Sequence, residues 1–144
     1  MDINTIIESM RDELVDTLKR WIAVPSVKAD AQPGAPFGEE VKHMLHMALE
    51  DGEKMGFEVK NVDNYGGHID FKGKGDKVMA ILGHLDVVPA GSGWDFDPYG
   101  GEVADGKIYG RGTTDNKGPV ISCLYAMKAL KEAGYQPECT IRLI

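Results

Sequence analysis

The chain has 144 residues, 42% hydrophobic and 27% charged, which suits one ordinary domain, or a piece of a larger one, with a substantial core. Sixteen basic against 23 acidic residues leave a net charge of −7, which speaks against a nucleic-acid partner because phosphate binding draws on clustered Lys and Arg. No segment approaches the roughly 18 uninterrupted apolar residues of a bilayer span, so no membrane partner is expected.

The amino terminus, M-D-I-N-T-I-I-E-S-M, lacks the positive start and apolar core of a signal peptide. Cys123 and Cys139 form no C-x-x-C pair and read as free thiols. A soluble, cytoplasmic protein is the expectation.

Ile3, Ile7, Met10, Leu14, Leu18, Trp21 and Ile22 recur at three- and four-residue spacing, which predicts an amphipathic helix over 3–23 that Pro25 stops. Residues 26–38 read as a loop, and Glu39-Glu40 place negative charge at the start of a second helix ended by Gly56. His43 and His46 lie three apart on that helix, but nothing acidic or sulfur-containing is placed to complete a metal site with them. Residues 57–62 and 68–72 alternate as two strands joined by a turn at 64–67, and His68 reads as a solvent-facing strand residue.

Val78 to Asp86 (V-M-A-I-L-G-H-L-D) reads as a buried central strand carrying His84 and Asp86 to its far end. Ligands of α/β sheets bind outside the carboxyl ends of such strands. On one face, Asp86 can accept a hydrogen bond from one nitrogen of His84 and leave the other nitrogen for a metal. A loop histidine followed by an incidental aspartate remains the plainer reading of this spacing alone.

A glycine-rich, acidic and aromatic stretch follows, of the kind that lines a site. Trp94 and Tyr99 are candidates for substrate contact, although packing the loop down is the simpler role. Residues 102–103 and 107–109 flank A-D-G as a tight hairpin, with Gly106 where positive φ is required. Gly118-Pro119 opens a helix closed by Gly134, with Cys123 in its core, and 139–144 alternates as a second central strand. If the two central strands are parallel, residues 110–118 fall near the same sheet end as His84.

Within G-R-G-T-T-D-N-K-G, Asp115 is the residue able to bind a divalent cation strongly. A phosphate cradle fits poorly, because Lys117 precedes Gly118, no Ser or Thr follows, and Asp115 would repel phosphate.

G-H-L-D-V-V-P at 83–89 and G-R-G-T-T-D-N-K-G-P at 110–119 resemble the paired motifs of the dinuclear zinc metallopeptidases that include bacterial dipeptidases, carnosinases, aminoacylases and acetylornithine deacetylases. The resemblance runs from the first helix to the last strand, and Pro119 looks like the dipeptidase branch. It implies an α/β fold with a mixed, mainly parallel sheet sandwiched by helices. It also implies that His84 ligates one of two zinc ions, that Asp115 bridges both, and that Asp86 orients His84 as a catalytic residue. A cis peptide is implied between Asp115 and Asn116.

In that family a glutamate pair, the general base and further ligand, follows the strand that here ends at Ile144, and a lid domain is inserted later. Residues 1–144 are therefore expected to be the amino-terminal part of a catalytic domain, inactive alone, with the last strand leaving an exposed sheet edge. The intact protein is expected to hydrolyse dipeptides. An N-acyl amino acid deacylase and a catalytically inactive folded fragment are the alternatives.

Overall fold

The computed structural model describes residues 2–144. Helix α1 (Ile3–Ser9) and helix α2 (Arg11–Ile22) occupy the stretch predicted as one helix. At Met10, which is buried, the backbone N–H turns to the carbonyl of Ile7 three residues back, and this tightened turn divides the two helices. Helix α3 (Glu39–Lys54) carries its acidic pair in the first turn and gives way to Gly56 at φ +77°.

Strands β1 (Glu58–Val62) and β2 (Gly66–Phe71) form a hairpin, and Asp63 and Asn64 take positive φ in its turn. Strand β3 (Val78–Ile81) precedes a second hairpin of β4 (Glu102–Ala104) and β5 (Lys107–Tyr109). Gly106 takes φ +71° there, as the A-D-G turn requires. Helix α4 (Lys117–Glu132) and strand β6 (Thr140–Leu143) complete the described chain.

The main sheet has the order β1-β2-β6-β3. It is mixed, as expected, but β3 with β6 is its one parallel pair among the described residues; β1 with β2 and β2 with β6 are antiparallel. The β1–β2 hairpin docks on β6 rather than on the strand it leads into, so β6 is central and β3 lies at the edge. Val78 and Met79 are accordingly exposed instead of buried, and the sheet's edges are β1 and β3, not the last strand.

Ile69, Phe71, Ile141 and Leu143 share one core with Trp21 and Ile22 of α2, Met44 and Ala48 of α3, and Ile121 and Leu124 of α4. These helices therefore meet the sheet through that set of side chains. Each fully buried residue of this size contributes roughly 1.5–3 kcal/mol. Gly52 allows a close approach of helix to sheet: a Cβ there would lie 2.7 Å from Ile69.

Side chains alternate along a strand, so Asp70 and Arg142, paired across β2 and β6, face away from that core. Arg142 closes a bidentate ion pair on Asp70, Nε to Oδ1 at 2.8 Å and Nη2 to Oδ2 at 2.7 Å. His68 is not solvent-facing as expected: its side chain is 19% exposed and its Nδ1 lies 3.0 Å from Asp70 Oδ1.

The Arg142 guanidinium, aided by His68 and Lys72 against the desolvation of burial, holds the Asp70 carboxyl down at about 2. A folded-state value below the unfolded 3.8 gives stability that is complete above about pH 4 and lost as pH falls through about 2. Asp70→Asn is expected to lower stability at neutral pH by on the order of 2 kcal/mol. It should also flatten the fall in urea midpoint between pH 4 and pH 2, as urea titrations across that range would show.

Candidate functional site

Strand β3 ends at Ile81, and the Gly83 N–H continues its register by donating to the Ile144 carbonyl at 2.9 Å. His84 and Asp86 therefore sit in the loop beyond the strand, not on it. Loop curvature, rather than strand alternation, turns them toward each other. A Cβ on Gly83 would lie 2.5 Å from Val120 and 3.0 Å from Asn116 Oδ1, so only glycine lets this loop pass the start of α4.

The second arm is the turn 110–117. Thr113 Oγ1 donates to the Gly110 carbonyl at 2.9 Å and Gly118 N–H donates to the Gly112 carbonyl at 3.1 Å, coiling the turn before α4. The Asp115–Asn116 peptide is cis, as the resemblance implied. The two arms touch where the His84 N–H donates to Asn116 Oδ1 at 3.2 Å.

His84, Asp86 and Asp115 are brought together. His84 Nε2 lies 3.0 Å from Asp115 Oδ1. Its Nδ1 lies 3.1 Å from the Asp86 carbonyl oxygen and 3.3 Å from the Asp86 carboxylate. One ring nitrogen is thus engaged by Asp86 through backbone and side chain together, and the other faces a carboxylate. All three side chains are at least half exposed, at 50%, 55% and 81% for His84, Asp86 and Asp115.

Donors bound to one tetrahedral zinc at about 2.0–2.1 Å stand roughly 3.3 Å apart. The His84–Asp115 separation and its nitrogen-plus-carboxylate chemistry therefore fit such an ion, while Asp86 lies against the other ring nitrogen. Among the described residues no group of three or more His, Cys, Asp and Glu is placed to hold a metal ion together. Two donors are fewer than the three or four a zinc site normally takes from protein. Beside the pair lies a cavity of about 410 Å³, lined by Trp21, Leu45, Leu49, Ile69 and Leu143, with His84 and Asp86 at its margin.

The other candidates are placed elsewhere. His43 is exposed on α3, while His46 Nε2 bonds Asn64 at 2.7 Å and Asn61 at 3.2 Å, tying the helix to the β1–β2 turn. Trp94 packs its own loop: Nε1 donates to the Ala90 carbonyl and Arg111 lies 5.2 Å above its ring. Tyr99 is half-buried, its N–H donating to Asp97.

Two residues escaped the sequence reading. Lys117 is fully buried, its ammonium donating to the carbonyls of Trp21 at 2.8 Å and Val24 at 2.7 Å. Ser26 is also fully buried, with Oγ donating to the Leu85 carbonyl at 2.7 Å. The only signal in the sequence was the position of Lys117, directly after Asp115-Asn116 and ahead of an apolar helix, where a surface lysine is unexpected.

An α/β sheet carrying an oriented imidazole and a facing carboxylate at its carboxyl end is the class of architecture on which metallohydrolase sites are built. Residues 80–144 match the profile described as Peptidase family M20/M25/M40. The chain is 40% identical over 136 residues to the Bacillus subtilis (strain 168) protein YtjP, covering 93% of this chain and 29% of that one. It is 38% identical over 149 residues to the Beta-Ala-Xaa dipeptidase of Lactobacillus delbrueckii subsp. lactis, covering 100% of this chain and 32% of the relative. Its fold superposes on human carnosine dipeptidase 1 with a TM-score of 0.81 at 30% identity, covering 98% of this chain and 33% of that one. The chain is thus a relative of the M20 peptidases, and it spans about a third of the length of the curated relatives it matches.

The turn that presents Asp115 depends on Gly118, where a Cβ would collide with the Thr113 carbonyl oxygen. Gly118→Ala is expected to destabilise the protein by about 1–3 kcal/mol. Gly66→Ala, which meets nothing within 4 Å, should stay within about 0.5 kcal/mol of the parent. Chemical denaturation of the two variants side by side measures the difference.

Proposed function

We propose that this chain supplies half of the metal centre of a zinc-dependent dipeptidase. The observation that carries the reading is the 3.0 Å approach of His84 Nε2 to Asp115 Oδ1, with the opposite ring nitrogen engaged by Asp86. The dipeptidase names of its relatives support the substrate class, small dipeptides.

In this reading Asp86 keeps the proton on Nδ1, which presents the Nε2 lone pair outward, and Asp115 offers two oxygens, enough to serve two ions. Zinc, when bound, supplies the Lewis acidity that activates water near neutral pH. The negative Asp86 and Asp115 offset the charge of the cation they adjoin. With two donors on the described residues, the chain alone is proposed to be inactive. We assign the remaining ligands and the general base to sequence corresponding to the other two thirds of the relatives. The cytoplasm is the proposed compartment, supported by two free, half-buried cysteines.

In the longer protein that would contain this chain, hydrolysis of free dipeptides is expected to fall to background with a chelator, to return with zinc, and to be absent in Asp115→Ala. Turnover that survives either treatment overturns the assignment. Asp86→Asn is expected to keep some activity while weakening zinc by about 10–100-fold, the usual effect of losing an outer partner, as chelator competition would measure.

A further inference from the structure

We propose that the seven-residue strap from Trp21 to Val27 sets the spacing between His84 and Asp115, with Lys117 and Ser26 as its positioning residues. This inference rests on the metal-centre reading above.

The strap is where α2 stops ahead of Pro25, and its carbonyls accept short-range donors there, Val24 N–H on Trp21 at 3.3 Å and Ser26 N–H on Val24 at 2.9 Å, each keeping a second lone pair. Two of these, on Trp21 and Val24, receive the Lys117 ammonium. Lys117 opens α4 two residues beyond Asp115. A buried ammonium without hydrogen bonds is strongly unfavourable, so the side chain cannot leave its two acceptors while the fold stays closed. The Asp115 arm is thereby pinned to the end of α2.

The same strap grips the other arm a few residues on. Ser26 Oγ donates to the carbonyl of Leu85, which lies between His84 and Asp86. The Val87 N–H donates to the Ser26 carbonyl at 3.0 Å, and Val27 bridges Val87 in parallel. Thus Val24 and Ser26, two positions apart, each hold one half of a pair whose members are 31 residues apart in sequence.

This arrangement explains how two largely exposed side chains keep a 3.0 Å approach. Their rotamers are not confined by packing, but the backbones beneath them are tied to one short segment. The direct hydrogen bond between the arms next to the pair, His84 N–H to Asn116 Oδ1, lies at the long distance of 3.2 Å.

The experiment compares Lys117→Met, Ser26→Ala and the remote core variant Phe57→Leu with the parent chain. Zinc chloride is titrated while the His84 ring is followed by NMR, and amide exchange of His84 and Val87 is measured without metal. Lys117→Met and Ser26→Ala are expected to weaken zinc by about tenfold or more, as losing an outer partner does, and to speed His84 exchange. Phe57→Leu should lose thermal stability with zinc affinity and His84 exchange unchanged.

The proposal is overturned if folded Ser26→Ala and Lys117→Met keep parental affinity and exchange, or if Phe57→Leu alters both equally. Should Lys117→Met not fold, Ser26→Ala decides alone. If zinc leaves the parent His84 signals unmoved, the exchange data without metal alone decide on the strap, and the metal-centre reading is judged separately by chelation and Asp115→Ala in the longer protein.

Discussion

A lysine ammonium with no exposed surface must find its solvation inside the protein, and Lys117 finds it on the carbonyls of Trp21 and Val24. That requirement orders much of the fold. Helix α2 must end where those carbonyls can take a second donor, helix α4 must begin against that end, and the turn bearing Asp115 must be coiled tightly enough to let Lys117 reach back. Gly112 meets the last demand at φ +97°, where a Cβ would lie 3.2 Å from the lysine's own Cδ.

Trp21 connects this clamp to the rest of the helical layer. Its carbonyl accepts from Lys117, while its indole Nε1 donates to Asp51 of α3 at 2.8 Å. Arg20 also meets Asp51, at 3.0 Å, and Thr17 shares a hydrogen bond with Tyr125 of α4 at 2.9 Å. One side of α2 is therefore locked to both neighbouring helices by buried polar contacts within an otherwise apolar core. Desolvation pushes the Tyr125 hydroxyl up to about 12, so it stays a neutral partner for Thr17 across ordinary pH. The position of the strap, and with it the site, is inherited from how firmly α2 is seated.

The helices, the two hairpins and the meeting of His84, Asp86 and Asp115 at one sheet end were legible in the sequence because each leaves a local mark: three- and four-residue apolar spacing, a turn glycine, an imidazole and carboxylates among glycines. Strand order was not. Val78 to Ile81 is apolar in the manner of a central strand, yet it lies at the edge, since pairing partners are chosen by contacts far apart in sequence. The same limit hid Asp70, which looks like a polar residue on a wet face until Arg142, 72 residues later, closes over it. Ser26 was hidden in turn, because its partner Leu85 is reached only once the sheet is assembled. Periodicity reports which way a side chain points within an element, not what waits for it there.

The exposed edge and the site are two consequences of one topology. Because β3 pairs with β6 on one side only, its loop is free to bend at Gly83 and carry His84 across to α4, with Val78 and Met79 left uncovered on the way. A second neighbour on the open side would bury those residues without touching the contacts that set the pair, since Lys117, Ser26 and Asn116 all approach from the strap and helix side. Covering the edge therefore adds stability to the sheet, whereas the geometry between His84 and Asp115 is already fixed by bonds that lie within residues 21–118.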